Sequence, residues 1–222
     1  MADGKTSLSF KWIAGAAVAA VIAGAGAVYV TNAPSGNGGT DVASAQCPAD
    51  PSRKAAIDAA ATGEVAAFLA TDPENLSAVG FQGPDGKAMT LGDFRGKTVL
   101  VNLWATWCAP CRKEMPALDG LEQQLGGDEF QVVAVNIDTG DNAKAEQFLD
   151  EVGVTTLANY RDPSMGIFNE FKRRSLALGL PATVLVDPQG CLLGKLNGPA
   201  EWDSEDAVRL IDAAMARETP AS

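Results

Sequence analysis

Two cysteines separated by two residues are the part of this sequence best suited to chemistry. Cys108 and Cys111 lie in LWATWCAPCRKEMP, after an apolar run and before charged residues. A thiol pair at this spacing could bind a metal ion, form a structural crosslink or exchange electrons with another protein's disulfide. A metal site is disfavoured, because the chain has one Cys-x-x-Cys and no histidine to complete a ligand set.

The elements that must position this pair favour exchange. Residues 97–105, KTVLVNLWA, are apolar and β-branched, which predicts a strand buried on both faces. Residues 109–125 have helical spacing of apolar positions and end at Gly126-Gly127. Cys108 is therefore expected near a helix N-cap, where unpaired N–H groups and the helix dipole stabilise a thiolate. Cys111 follows one turn later, close enough to bond to Cys108.

Such a pair can exchange disulfides in two steps. The Cys108 thiolate attacks a substrate disulfide and forms a mixed disulfide, and Cys111 then attacks Cys108 and releases the reduced product. Two electrons move, and neither a cofactor nor a metal is required. A purely structural disulfide is the remaining alternative.

The composition narrows the class of function further. The chain has no histidine, which excludes Ser-His and Cys-His catalysis and imidazole metal sites. Its formal net charge of −11 predicts no nucleic-acid partner, since nothing could neutralise phosphates in a groove. The 222 residues are enough for one globular domain with attachments.

The N-terminal sequence predicts a membrane attachment. Residues 12–30 carry no charge, and about 20 apolar residues span a bilayer as a helix. Lys5 and Lys11 precede this segment and no charge follows before Asp41, which places residues 1–11 in the cytoplasm and the catalytic domain in the periplasm. We expect a single-pass protein of the inner membrane. A cleaved signal peptide is the alternative.

The rest of the chain divides into three parts. Residues 31–46 are rich in small, turn-forming residues and predict a flexible linker. Residues 47–77 predict a helical extension, with Asp50 as N-cap and Pro51 at the first helical position. Residues 78–217 predict an α/β domain with parallel β-α-β units in a mixed sheet. Its remaining elements are short strands around Pro84-Asp85-Gly86, a strand over 130–138, helices over 142–154 and 163–171, a hairpin over 182–196 and a last helix from 203 or 204.

These motifs resemble the thioredoxin superfamily, in its membrane-anchored periplasmic branch of TlpA-like thiol:disulfide interchange proteins and reductants of cytochrome c maturation. The resemblance runs from about residue 78 to 215 through TLGDFRGKTVLVNLWATWCAPCRKEMP, VVAVNID and GLPATVLVDPQG. It implies a thioredoxin-like α/β fold, a central mixed β-sheet flanked by helices, to which the extension and the anchor are added.

The resemblance also implies roles for single residues. Cys108 is the nucleophile and Cys111 the resolving thiol. Glu114 matches the acidic residue that periplasmic members keep near the site, where it can handle the proton of Cys111. Leu180 and Pro181 match the segment with a cis-proline that faces the dithiol and offers backbone hydrogen bonds to a substrate.

Three further positions carry expectations with open alternatives. Trp104 and Trp107 are similar to the family's paired tryptophans, one beneath the site and the other exposed beside Pro110 where substrates bind. A plain core role is the alternative for either one. Asn102 replaces the buried aspartate of cytoplasmic thioredoxin and cannot shuttle a proton, which shifts acid–base work to Glu114 or water. The alternative for Glu114 is a solvated carboxylate on the helix.

The direction of electron flow and the partners are expectations from the same resemblance. Ala109-Pro110 lacks the histidine of strong periplasmic oxidants and is similar to the Gly-Pro of reductants, so we expect a reductant. The implied substrates are periplasmic protein disulfides, in a copper chaperone or the copper-site subunit of an oxidase, or in apocytochrome c. The implied electron donor is a membrane dithiol carrier. A copper(I) carrier that binds through Cys108 and Cys111 is the rival class.

Cys47 and Cys191 remain. In an oxidising compartment an even number of remaining cysteines favours a second, structural disulfide, which would hold the extension against the body. Two free buried thiols are the alternative.

Overall fold

The computed structural model describes residues 47–215. The predicted cytoplasmic N-terminus, membrane anchor and linker, residues 1–46, lie outside this range. Within residues 47–215, no helix has the length and apolar character needed to cross a membrane.

The described residues form one mixed sheet with α-helices in the connections. The strands are β1 (Leu69–Ala70), β2 (Gly80–Gln82), β3 (Ala88–Thr90), β4 (Thr98–Trp104), β5 (Phe130–Asn136), β6 (Tyr160–Arg161), β7 (Ala182–Val186) and β8 (Leu192–Asn197). The helices are α1 (Pro51–Ala60), α2 (Ala109–Leu125), α3 (Ala143–Glu151), α4 (Gly166–Arg173) and α5 (Glu205–Met215). The order of strands is β1-β8-β7-β4-β5-β6-β2-β3.

Strand β4 lies in the interior of this sheet. It pairs in parallel with β5 and antiparallel with β7, and all seven of its residues are buried, as its continuous apolar sequence predicts. The parallel pair and the β7–β8 hairpin confirm the predicted mixed sheet. Helix α2 has the predicted bounds, and its buried face includes Met115, Leu118 and Leu121.

Helix α3 ends at Glu151 instead of 154. Strand β5 and helix α4 also differ from their predicted bounds, because side chains cap the backbone. Strand β5 ends at Asn136, whose Oδ1 accepts a hydrogen bond from the N–H of Asp138 at 3.1 Å and turns the chain. Helix α4 begins at Gly166 instead of 163. The carboxylate of Asp162 accepts from the N–H groups of Ser164 and Ile167 at 3.0 and 2.7 Å, so residues 163–165 form the capping loop.

The extension is helical only in its first part. Asp50 caps α1, since its Oδ1 accepts from the N–H of Arg53 at 2.9 Å. After α1 the chain turns at Gly63, which has a φ of +54°, into a single 3₁₀ turn over Gly63–Val65. Strand β1 then pairs with β8 at the sheet edge, so residues 47–77 contribute a strand to the same sheet as the body.

A disulfide joins the start of the extension to the body. Cys47 and Cys191 are bonded, with their Cα atoms 5.6 Å apart, across 144 residues of sequence. The N–H of Cys191 donates to Oδ1 of Asp187 at 2.8 Å, which fixes the position of the buried partner. Free thiols at these positions, the alternative left open by the sequence, do not occur in the structure.

We predict that Gly194→Ala weakens the contact between the extension and the sheet. A Cβ at residue 194 would lie 2.3 Å from the ring of Phe68 and 2.7 Å from the carbonyl oxygen of Leu69. Such overpacking costs about 1–3 kcal/mol, so the free energy of urea unfolding should fall by that amount. Gly127→Ala is the matched control, because nothing lies within 4 Å of its added Cβ. Equal unfolding free energies for the two variants would contradict the prediction.

Candidate active site

Helix α2 begins at the dithiol. Cys108 is its N-cap residue, and the Sγ of Cys108 accepts from the N–H of Cys111 at 3.3 Å. Cys108 and Cys111 form a disulfide with their Cα atoms 5.3 Å apart. The positive end of the helix dipole and a backbone donor therefore meet at the sulfur of Cys108, and both stabilise a thiolate when the bond is reduced.

The two sulfurs differ in their access to solvent. Cys108 is 6% exposed and Cys111 is fully buried. The residues around Cys108 are open, because Trp107 is 67% exposed and Ala109 and Pro110 are also exposed. Of the two cysteines only Cys108 has exposed surface, and its neighbours are open, which suits it for attack and Cys111 for resolution.

The loop between β4 and α2 is held by the end of β5. The N–H of Thr106 donates to both oxygens of the Asp138 carboxylate, at 3.1 and 3.3 Å, and Asn136 Nδ2 donates to the same carboxylate at 3.0 Å. The N–H of Ile137 donates to the carbonyl of Trp104 at 2.9 Å. Sequence reasoning missed Asp138 and Asn136. The sequence feature that could have identified them is the pair of polar residues that end a strand parallel to β4.

The paired tryptophans have different environments. Trp104 is buried, and its ring centroid lies 5.8 Å from that of Phe148. The guanidinium of Arg112 lies over the ring of Phe148, 4.5 Å from the ring centroid. Trp107 faces solvent beside the dithiol. The structure thus places one tryptophan in the core and one on the open surface.

The Leu180–Pro181 peptide bond is cis. Ala182 of β7 pairs with Leu103 of β4 in antiparallel register. Pro181 therefore lies at the end of β4 where the loop to Cys108 begins. The carbonyl of Pro181 accepts from the N–H of Gly198 at 3.0 Å. Leu178, three residues earlier, is 80% exposed and adds apolar surface to this segment.

Glu114 is buried, contrary to the alternative of a solvated carboxylate. It is 3% exposed, and its carboxylate accepts hydrogen bonds from three donors, one on β4 and two in the segment before α5. Oε1 accepts from Asn102 Nδ2 of β4 at 2.8 Å, and Oε2 accepts from the N–H of Ala200 at 3.2 Å and the indole N–H of Trp202 at 3.3 Å. Asn102 Nδ2 also donates to the hydroxyl of Thr183 at 3.0 Å.

Burial makes Glu114 a group that titrates near neutrality. Loss of water raises its pKa to about 7, against the lowering effect of the three hydrogen bonds and with a smaller raising effect from Glu201. Glu114 follows Cys111 by one turn of α2, so the two side chains are neighbours on the helix surface. A carboxyl group with this pKa beside a resolving thiol can exchange a proton with it.

A cavity lies between Glu114 and solvent. This cavity of about 370 Å³ is open to solvent and bordered by Glu114 itself. Its other lining residues are Glu64, Ala109, Pro110, Lys113, Pro199, Ala200 and Glu201. Water in such a cavity provides a route for protons between the buried carboxyl group and the bulk solvent.

Sequence reasoning missed Trp202, Ala200 and Thr183 as members of the site. They come from the segment before α5 and from β7, far from the dithiol in sequence. No motif marks them. Within residues 47–215, no cluster of three or more Cys, Asp or Glu side chains could hold a metal ion.

The fold and the site together define a thiol:disulfide oxidoreductase of thioredoxin-like fold. The chain belongs to the Redoxin family, whose model matches residues 50–211. The match begins within the extension, at the N-cap of α1. The comparisons agree with the predicted TlpA-like branch of the thioredoxin superfamily.

Individual relatives show the same class of protein. The chain is 38% identical over 123 residues to the thiol:disulfide interchange protein HelX of Rhodobacter capsulatus, which covers 54% of this chain and 62% of HelX, less than two thirds of that protein. It is 31% identical over 145 residues to the thiol-disulfide oxidoreductase ResA of Geobacillus kaustophilus, covering 61% of this chain and 78% of ResA. A solved structure from Chlorobium tepidum, described as a thiol:disulfide interchange protein DsbE, is 27% identical with a TM-score of 0.56, covering 66% and 99% of the two chains.

We predict that Glu114 makes stability fall as pH rises. Its native pKa of about 7 lies above the ordinary 4.5, so between these values the folded protein keeps a proton that the unfolded chain has released. The free energy of unfolding should decrease by up to about 3 kcal/mol from pH 4.5 to above pH 7 and then stay level. Glu114→Gln should lack this part of the pH dependence.

Urea unfolding of the two proteins between pH 4.5 and 8.5 measures the effect. Glu146→Gln is the control, because Glu146 is exposed on α3 and its loss should leave the slope unchanged. Parallel curves for wild type and Glu114→Gln would show that the carboxyl group does not titrate as described.

Proposed function

We propose that the protein is a reductant of protein disulfides, with its dithiol in the periplasm and residues 12–30 as its anchor in the inner membrane. The single observation that supports this most directly is the asymmetry of the pair, a Cys108 that is 6% exposed at a helix N-cap beside a fully buried Cys111. The exchange uses thiols alone and requires no cofactor or metal.

The proposed reaction has two steps. The Cys108 thiolate forms an S–S bond with one substrate sulfur, and the other substrate sulfur leaves as a thiolate and takes a proton from solvent. Glu114, as a carboxylate, then accepts the proton of Cys111, whose thiolate attacks Cys108 and expels the second substrate sulfur as a thiolate, which also takes a proton from solvent. Glu114 afterwards returns its proton to solvent. The substrate gains two electrons and two protons, and Cys108–Cys111 becomes the disulfide present in the structure.

Residues between and beside the cysteines support reduction over oxidation. A strong oxidant needs its thiolate form stabilised beyond the contribution of the helix, and Ala109-Pro110 offers no charge for this.

For the substrate we propose copper-site thiols, in the copper-binding subunit of a terminal oxidase or in its copper chaperone. The resemblance to TlpA-like proteins supports this route, and apocytochrome c thiols are the alternative that the same resemblance implies. The exposed apolar side chains of Trp107 and Leu178 would contact an extended substrate segment. A membrane dithiol carrier would return the protein to its reduced form.

Cys111→Ser should trap the substrate. Without the resolving thiol, the mixed disulfide at Cys108 persists. The reduced variant is mixed separately with an oxidised copper-site domain and with an oxidised apocytochrome c peptide, and the covalent adduct is quantified by non-reducing electrophoresis. We expect faster adduct formation with the copper-site domain. Cys108→Ser is the control and should form no adduct. Faster reaction with the apocytochrome peptide would select the alternative substrate, and no adduct with either would contradict the proposed function.

The reduction potential tests the direction of electron flow. We expect the Cys108–Cys111 couple to lie near about −270 mV, the value of thioredoxin, because no charged residue separates the two cysteines. Equilibration with glutathione or dithiothreitol buffers, followed by alkylation and mass measurement, gives the potential. A value near about −120 mV would identify an oxidant and reject a reductant.

A further inference from the structure

The hydrogen bonds of Glu114 suit only one of its two protonation states. Within the described residues, each of them has the carboxyl group as the acceptor. The donors on Ala200 and Trp202 are a backbone N–H and an indole N–H, which cannot act as acceptors. In the carboxylate form, both oxygens therefore accept hydrogen bonds. The carboxylic acid has an O–H to donate and needs an acceptor.

Both protonation states must exist during turnover. In the proposed reaction Glu114 takes the proton of Cys111 and later returns it to solvent. A buried O–H without an acceptor destabilises the protonated state, which would oppose proton uptake at the moment it is needed. An acceptor close to one of the two carboxyl oxygens would satisfy this O–H group.

The side chain of Asn102 has an acceptor that is otherwise unused. Asn102 is fully buried, and its Oδ1 has no hydrogen-bond partner among the described residues. Its Nδ2 lies 2.8 Å from Oε1 of Glu114. A half-turn about the Cβ–Cγ bond exchanges the two atoms. It brings Oδ1 to that oxygen without moving the backbone, and it places Nδ2 where Oδ1 lay.

Thr183 permits the turn. Its hydroxyl lies 3.0 Å from Asn102 Nδ2 and accepts from it. A hydroxyl group can also donate, so after the turn Thr183 would donate to Oδ1. The other carboxyl oxygen stays fixed by its two donors, Ala200 and Trp202, which directs the proton to Oε1 beside Asn102.

We propose that Asn102 is a positioning residue that serves both states of Glu114, donating to the carboxylate and, after a half-turn of its amide, accepting from the carboxylic acid. The inference rests on the proposed function, since Glu114 is the group proposed to receive the proton of Cys111. It also gives a reason for asparagine at this position. An aspartate would add a second carboxyl group against the first, and a leucine would offer neither a donor nor an acceptor.

Other ionisable groups face Glu114 from the elements around it. Cys108 and Cys111 lie on the same helix, and Glu201 lies in the segment before α5. Glu64, after α1, and Lys113 line the cavity that leads to solvent. Asn102 and Thr183, from β4 and β7, are neutral. The titration is therefore measured with the disulfide intact, so that the two cysteines do not ionise.

Nuclear magnetic resonance of the full-length, isotopically labelled oxidised protein tests the proposal directly. The side-chain carboxyl ¹³C of Glu114 and the side-chain ¹⁵N of Asn102 are followed from pH 5 to 9. We expect a common midpoint near pH 7, together with a change in the nuclear Overhauser contacts of the Asn102 amide protons. Asn136 is the internal control. Its Nδ2 and Oδ1 are both bonded to Asp138, so its amide should keep one orientation.

Glu114→Gln provides a second, independent test. Glutamine is a neutral mimic of the acid: its oxygen would face the N–H groups of Ala200 and Trp202, and its amide N–H₂ would face Asn102. The Asn102 amide should then show the low-pH resonances and contacts of the wild type at every pH.

The proposal is overturned if the Asn102 amide keeps the same contacts while Glu114 titrates. It is also overturned if Glu114→Gln shows the high-pH signature of Asn102. These outcomes are separate from the proposed function, because a protein that fails to reduce any disulfide would still give the same titration.

Discussion

The pairing of β4 on both sides fixes the active site. Because β5 and β7 flank this strand in a set register, the loop after Trp104, the turn at Asp138 and the cis peptide before β7 all meet at one sheet edge. Helix α2 starts there, so the dipole, Cys108 and the proline segment converge without any long-range flexible loop. A register shift of β4 by one residue would separate all three.

Strand β4 also carries one of two polar side chains that are buried against each other. Asn102 places a polar side chain in a fully buried strand, and Glu114 brings a carboxyl group against it from α2. A buried, solvent-deprived carboxylate reduces stability, yet the loss of solvent moves its pKa to about 7, where a carboxyl group can both take and give a proton. The ionised carboxylate lowers stability above its pKa, and the acid–base role proposed for Glu114 depends on the same raised pKa.

Local sequence was enough to predict the elements that carry the dithiol. The buried strand, the helix from Ala109 to Leu125 and the β7–β8 hairpin have strong patterns over contiguous residues. The partners of Glu114 could not be predicted in this way. Trp202 is 88 residues from Glu114, and Thr183 is 81 residues from Asn102, so only the folded sheet brings them together. Strand β1 was missed because two residues are too few to show alternation.

The extension and the redox site are connected through α5. The carboxylate of Asp206, in the first turn of α5, accepts from the N–H of Glu64 at 3.1 Å, and Glu64 lines the cavity that reaches Glu114. The indole N–H of Trp202, three residues before α5, donates to the carboxyl group of Glu114. The Cys47–Cys191 disulfide and β1 hold the extension against the sheet. The extension therefore lines part of the cavity that borders Glu114, and the family match, which begins at residue 50, includes the extension.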